Sequence, residues 1–361
     1  MSQRTPSPSA EQQLVFLAKI QRLFAEGNFT ATYKFALLIA LADLAVEFGF
    51  DDGAELPLSI RQIAEQFIQL YWRHTSPYLV DHSGMTDGVL VQNLGAQAAV
   101  IGHISRFRSL HGVHTLPQAR AVRGYASLLT RVATKVAEEP LMKLQKFGGG
   151  TDPFIYEHDG TEIVILKPGV AYCLRRFQTL VQQLSRAHWV EHIKRNKRNS
   201  PILGESRDLE DFLFSSSRQS LAVVAAGLRK LDGNRCFYCG DQLIEADVDH
   251  YVPFSLYPRD LAHNFVLAHS KCNRSKSDTL AARMHLERWL ERLELRSDDL
   301  ADIGLNAGIS ADSTTSKKVA AWGYSSACQA GASAWLRAAQ YDAVTSDYLA
   351  LFDSDILSAA D

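Results

Sequence analysis

The stretch that decides the fold of this 361-residue chain lies at residues 236–276 and reads CFYCGDQLIEADVDHYVPFSLYPRDLAHNFVLAHSKCNRSK. It opens with the C-x-x-C pair Cys236 and Cys239, and His269 and Cys272 repeat that spacing near its end. Three thiolates and an imidazole in two such pairs can close a tetrahedron around Zn²⁺. Because no coordination position is left for water, the spacing predicts a structural zinc ion that holds the segment together.

Between the two pairs lie several residues of types that commonly take part in catalysis. Asp249 and His250 are adjacent, Asn264 follows further along, and Asn273 comes directly after the last cysteine. An imidazole can take a proton from water near neutral pH, and carboxylate and carboxamide oxygens suit hard cations such as Mg²⁺. Taken singly, each could be a turn residue, a satisfied polar residue or a helix cap. Taken jointly, at the family spacing described next and inside a zinc frame, they indicate a catalytic centre.

These residues resemble the HNH endonuclease family, in particular bacterial HNH nucleases of restriction or phage-defence type, and three linked motifs carry the resemblance. DH-x-x-P occupies residues 249–253, an asparagine follows at 264, and a CN-x-x-K ending lies at 272–276. The zinc and catalytic patterns interleave as they do in the family. The resemblance implies a ββα-metal fold inside a zinc cage and metal-dependent hydrolysis of phosphodiester bonds.

The resemblance also implies a role for each matching residue. His250 is expected to be the general base, and Asp249 and Asn273 are expected to hold one Mg²⁺ or Mn²⁺ ion. Asn264 is expected to brace the loop that carries His250, through hydrogen bonds to its backbone. His269 departs from the family pattern, which commonly has cysteine there, and Asn273 replaces the last histidine of the family name. Both replacements keep a suitable metal ligand.

The orientation of the side chains adds one condition. Successive strand residues point to opposite faces, so Asp249 and His250 would face one site only if the strand bends or bulges there. We interpret Asp247 as an exposed strand residue. Arg274 and Lys276 are cations that either contact backbone phosphates or have no role, and both alternatives stay open.

The rest of the chain predicts a mainly α protein with this small α+β module. Apolar residues recur at helical spacing through most of the first 200 positions, with helices expected at 32–48, 59–72, 88–108, 117–145 and 168–195. The predicted parts are a disordered tail at 1–10, a mostly helical domain at 11–200 with a β-hairpin near 154–166, a helical lead-in at 201–232, the nuclease module at 233–280 and a C-terminal helical region at 281–361.

Composition limits the classes of function. The net charge is −2, so the chain as a whole is no polycation, although Lys194, Arg195, Lys197 and Arg198 form a local basic run. That run is either a solvated helix end or a phosphate contact. No segment is apolar enough to span a membrane, and the polar start lacks a signal peptide, so we expect a cytoplasmic protein.

The sequence thus predicts an endonuclease with structural Zn²⁺ and catalytic Mg²⁺ or Mn²⁺. By resemblance, the expected substrate is double-stranded DNA, the expected products carry 5′-phosphate and 3′-hydroxyl ends, and the expected context is restriction or phage defence. The alternatives are a zinc protein that binds nucleic acid or regulates without cutting, and an RNA-directed nuclease. The helical domain either recognises substrate or a partner or is a plain bundle, and a homodimer or a defence-system partner protein stays open.

Overall fold

The computed structural model describes residues 5–78, 88–203 and 209–353. Their contacts divide the chain into two compact units, one of 1–114 and 119–214 and the other of 115–118 and 215–361. No helix in these ranges combines the length and the apolar character needed to cross a membrane.

The first part of the chain, up to residue 214, is mostly helical with short strands. Its helices are α1 (Ala10–Glu26), α2 (Tyr33–Phe48), α3 (Ile60–Trp72), α4 (Ala99–His111), α5 (Leu116–Arg120), α6 (Tyr125–Glu138), α7 (Pro140–Lys143), α8 (Val170–Arg176), α9 (Gln178–Arg195), α10 (Ser200–Leu203) and α11 (Leu209–Phe214), and its strands are β1 (Leu56–Ser59), β2 (Lys146–Phe147), β3 (Gly150–Thr151), β4 (Tyr156–Glu157) and β5 (Ile163–Leu166).

Helix α2 forms the centre of this first unit. It packs against α3, α8 and α9, and nearly all its residues are buried. A helix that is apolar on all sides, as ALLIALA is here, has no face to present to water. Its one fully buried carboxylate, Asp43, accepts a hydrogen bond from Gln182 Nε2 at 2.6 Å. The buried charge is therefore hydrogen-bonded, as burial requires.

The predicted hairpin is confirmed, and the sheet is larger than predicted. Strands β4 and β5 pair in antiparallel register on either side of Asp159 and Gly160, and β1 adds a third strand in the order β1-β5-β4. Strand β1 is only four residues long and runs directly into α3. A strand that short carries too little alternation to stand out from a helix start in the sequence.

Several predicted boundaries are wrong. The helix expected at 88–108 begins only at Ala99, because the side chain of Gln97 bonds the backbone of Leu90 and Gln92 outside a helix. The helix expected at 117–145 is divided into three helices, α5, α6 and α7. Pro140 ends the regular path of α6 and is the first residue of α7. The tail predicted to be disordered at 1–10 is wrong at its end, since Ser9 caps α1 through a capping box; residues 1–4 lie outside the described residues.

The second unit holds a ββα element flanked by helices. Along the chain come α12 (Arg218–Leu231), β6 (Asp247–His250), β7 (Phe265–Ala268), α13 (Ser270–Lys276), α14 (Arg283–Leu295), α15 (Ser297–Ala307), α16 (Ser313–Gln329), β8 (Ser333–Arg337), β9 (Gln340–Ala343) and α17 (Ser346–Leu349). The region after 281 was predicted to be helical only, and the β8–β9 hairpin corrects that prediction.

Large aromatic side chains pack behind the ββα element. Trp289 of α14 is fully buried, stacks on Tyr251 at 4.6 Å between ring centroids, and donates from Nε1 to the backbone oxygen of His263. Trp335 of β8 is also buried and donates to Ser275 Oγ on α13. The element is thus supported by α14 and β8, which supply core that its own short strands lack.

Candidate functional site

The four predicted zinc ligands lie together. One ligand atom from each of Cys236, Cys239, His269 and Cys272 lies within 4.8 Å of all the others. The first pair stands on a tight knuckle in which the Gly240 N–H donates to the Cys236 oxygen, with Gly240 at a φ of +76° that favours glycine. The second pair is held at the start of α13. Such a cluster fits a single tetrahedral ion.

The imidazole of His269 is oriented for ligation through Nδ1. Its Nε2 lies 3.2 Å from the backbone oxygen of Gln242, to which it can donate, and its Nδ1 lies 3.4 Å from Cys239 Sγ. In histidines that ligate metals, a hydrogen bond from the ring nitrogen that does not bind the metal fixes the tautomer and the ring plane. The donor set of three sulfurs and one nitrogen therefore fits Zn²⁺, which would clamp the knuckle to α13.

The pKa values of the cysteine thiols show why a bound cation would stabilise this cluster. Burial tends to raise the pKa of Cys236, but backbone N–H groups of Cys239 and His269 outweigh it and lower that pKa. Burial and the neighbouring thiols raise the pKa of Cys272 to about 12. Several thiolates can coexist at this distance only when a positive charge offsets their repulsion.

Replacing Cys239 with serine should release the metal and destabilise the second unit. Serine is a poor zinc ligand, and folding of a small zinc-held module depends on the ion. We expect metal content, measured by inductively coupled plasma mass spectrometry, to fall well below one zinc per chain, with a lower melting temperature. Cys328→Ser, at a cysteine outside the cluster, is the matched control and should keep both; equal zinc content in the two variants would contradict the assignment.

Strand β6 is regular, so the bulge expected at Asp249 is absent. Asp247 to His250 pair with Ala268 to Phe265 without a shift in register. Alternation therefore puts Asp247 and Asp249 on one face, where both contact α13, and His250 on the opposite face. The structure brings Asp249 close to α13 and turns His250 away from it.

Asp249 is part of a buried ion pair. Its Oδ2 accepts from the Tyr238 hydroxyl at 2.5 Å and lies 3.2 Å from Lys276 Nζ. The Lys276 side chain is fully buried and donates also to the backbone oxygen of His250 at 2.9 Å. Burial lowers the pKa of Lys276, and Asp249 opposes that shift. Of the two alternatives kept open for Lys276, phosphate contact is wrong, because its ammonium group is enclosed by the protein.

Asp247 was interpreted as an exposed strand residue, and the structure corrects this. It is half-buried, and its two carboxylate oxygens accept from Ser270 Oγ at 2.9 Å and from Asn273 Nδ2 at 3.3 Å. Asn273 is thus linked directly to Asp247. Asp247, Asp249 and Asn273 together offer oxygen atoms of the kind that a hard divalent cation prefers.

Asn264 lies in a short 3₁₀ turn just before β7 and clamps the chain after His250. Its Oδ1 accepts from the Val252 N–H at 2.8 Å, and its Nδ2 donates to the Val252 oxygen at 2.9 Å. Its backbone oxygen also accepts from the Tyr251 N–H. These three bonds fix the path of the backbone directly beyond His250.

The imidazole of His250 has a partner that sequence reasoning missed. Its Nε2 lies 2.6 Å from Asp260 Oδ1, and the other Asp260 oxygen accepts from the backbone N–H of Ser216 at 2.9 Å. Burial tends to raise the pKa of Asp260, but the hydrogen bond and charge of His250 and the bonds from Ser216 lower it. The rings of Phe254 and Phe265 flank the imidazole. Asp260 lies between the recognisable motifs, so no spacing pattern marked it.

The buried pair yields a stability prediction. Lys276→Met should destabilise the second unit by about 3–5 kcal/mol, because it leaves the Asp249 carboxylate buried without its cation. Asp249→Ala should also lower stability, because it leaves the Lys276 ammonium group buried without its carboxylate partner. Urea unfolding would measure both.

The double variant Asp249→Asn with Lys276→Met should recover part of the loss, since no uncompensated charge remains. Arg274→Met, at an exposed neighbour on α13, is the control and should change stability little. Additive losses in the double variant would show that the two groups do not form a pair.

The comparisons with known proteins identify one segment. Residues 236–282 match a family model described as HNH endonuclease, which spans the knuckle, β6, β7 and α13. A search of curated proteins found no match.

Proposed function

We propose that this chain, whose residues 236–282 form an HNH endonuclease module, hydrolyses phosphodiester bonds of nucleic acid in a metal-dependent reaction. The observation that carries the proposal is the coincidence of three features on one element. The family match, the zinc-type cluster and the set of Asp249, His250 and Asn273 all lie within residues 236–282, which hold the knuckle and the ββα element.

In this proposal His250 is the general base. Asp260 engages Nε2, and a carboxylate there favours the tautomer with its proton on Nε2. The lone pair of Nδ1 is then free to accept a proton from the attacking water. The side chain is 21% exposed, which leaves the ring reachable from solvent. Asp260 acts through His250 and is therefore a positioning residue.

Asp249 and Asn273 would hold the divalent ion, as Mg²⁺ or Mn²⁺, and Asp247 lies close enough to Asn273 to assist. When bound, that ion supplies positive charge to the phosphate and the leaving oxygen. In an in-line displacement the attacking and leaving oxygens lie on opposite sides of phosphorus. Joint action on one phosphate therefore requires the side chains of Asp249 and His250, which the regular strand β6 directs to opposite faces, to approach that phosphate from two sides.

We propose double-stranded DNA as substrate, 5′-phosphate and 3′-hydroxyl products, and a role in restriction or phage defence in the cytoplasm. The resemblance of the motif residues to bacterial HNH nucleases supports each of these. A non-cleaving zinc protein and an RNA-directed nuclease are the competing functions.

The proposal is tested by cleavage of plasmid DNA, single-stranded DNA and RNA with Mg²⁺, Mn²⁺ or EDTA. His250→Ala should lower the rate by roughly 10²–10⁴-fold, the usual contribution of a general base. The control is His111→Ala, at a histidine in α4 outside the module. Zinc content should be equal in all three proteins. Cleavage by His250→Ala at the wild-type rate would remove the base assignment, and activity on RNA alone would select the RNA-directed alternative.

Asp260→Asn should lower the cleavage rate by about 10–100-fold, the range common for groups that orient a functional histidine. An amide can donate to Nε2 and so favour the tautomer whose Nδ1 carries a proton and cannot act as a base. Nitrogen-15 NMR of the His250 ring, without added divalent cation, should show this change of tautomer. Asp298→Asn, at an exposed carboxylate in the first turn of α15, is the control. A slowed variant with an unchanged His250 tautomer would assign Asp260 a structural role only.

A further inference from the structure

A buried lysine in the helical unit lacks a counter-charge. Lys34, in the first turn of α2, is 7% exposed. Within the described residues its ammonium group has no hydrogen bond or ion pair, and it lies 5.3 Å from the centroid of the Phe29 ring. Lysine is rarely buried without a carboxylate partner. The position therefore needs a physical explanation.

The start of α2 adds positive potential to the same place. Thr32, the residue before the helix, makes no capping bond with its side chain, which instead contacts the Tyr71 hydroxyl at 2.6 Å. The first turn of α2 contains no acidic residue. Uncapped N–H groups and the helix dipole both favour an anion here and disfavour the cation that is present.

Two more lysines converge on a cavity at this point. Lys34, Lys143 and Lys146 line a cavity of about 390 Å³ together with Asn28, Thr30 and Tyr33. Burial lowers the pKa of Lys34, and the charges of Lys143 and Lys146 lower it further. The one carboxylate in the lining, Glu139, pairs with Lys143. Three ammonium groups thus meet one carboxylate, and the lining carries an excess of positive charge.

This arrangement is unfavourable in the free protein. Desolvation of Lys34, repulsion by two lysines and the helix dipole act in the same direction. An anion in the cavity would offset these contributions, since it would pair with the ammonium groups and lie near the positive end of the α2 dipole. A position at which the free protein gives up folding stability in this way is typical of a binding site.

We infer that the cavity at the start of α2 binds a phosphate group. A phosphate carries up to two negative charges, which matches the excess of lysine over glutamate, and its oxygens can accept from several donors at once. Lysine is a common phosphate ligand. The phosphate can belong to a free nucleotide or to a nucleic-acid backbone, and the probes below distinguish these sources. The inference does not depend on the nuclease activity.

Isothermal titration calorimetry of the full-length protein tests the inference. The buffer contains no phosphate and no added divalent cation, and the probes are inorganic phosphate, deoxyadenosine monophosphate and a short DNA duplex. We expect Lys34→Met to weaken binding of at least one probe tenfold or more. Lys135→Met is the matched control, because it removes the same charge from a surface pair with Glu138 in the same unit.

The pattern of losses identifies the source of the phosphate. Weakened binding of the two small probes indicates a free phosphorylated ligand, and weakened binding of the duplex alone indicates a backbone phosphate. Without a ligand, Lys34→Met should melt at the wild-type temperature or above, since it removes an uncompensated buried charge. If that variant fails to fold, Lys143→Met with Lys146→Met, at two exposed positions, should show the same loss of affinity.

The inference is overturned if the wild-type chain binds none of the three probes. It is equally overturned if the cavity variants and Lys135→Met bind every probe within tenfold of wild type.

Discussion

The ββα unit depends on one buried cation. Lys276 ends α13 and reaches back across β6, where its ammonium group meets the Asp249 carboxylate and the His250 backbone oxygen. Its fixed position follows from burial, because a desolvated ammonium group must keep every partner it has. This contact ties the helix to the two adjacent strand residues on which the proposed chemistry rests. The register between α13 and β6 therefore also sets the distance between Asp247 and Asn273.

Because of the same contact, Asp249 has a role in the fold as well as its proposed role as a ligand of the divalent ion. As a proposed cation ligand, Asp249 must keep an oxygen available, yet Oδ2 is already engaged by Tyr238 and Lys276. The other oxygen has no hydrogen bond among the described residues, which leaves it for a ligand. A residue with both a structural and a chemical role cannot be replaced by alanine without affecting both. Loss of activity at such a position is informative only beside a measured stability.

The module has little core of its own and obtains support from two sources. The metal-binding cluster joins the knuckle to the start of α13, at one end of the unit. Trp289 and Trp335, from segments that follow the module in sequence, bury the other sides. A two-stranded sheet with one short helix is marginal alone, so the element needs support from residues outside its own strands and helix.

The sequence by itself determined those features of this protein that follow from the spacing of residues along the chain. The repeated two-residue gap between Cys236 and Cys239 and between His269 and Cys272 predicted a cluster that the structure contains, and the motif residues predicted the family that the comparison finds. Only the tertiary structure decided which groups face each other. Three contacts show this: Asp260 pairs with His250, Lys276 is buried against Asp249, and Asp247 is bonded to Asn273. These contacts depend on the direction of side chains and on the packing of separate elements, and neither produces a periodic pattern in the sequence.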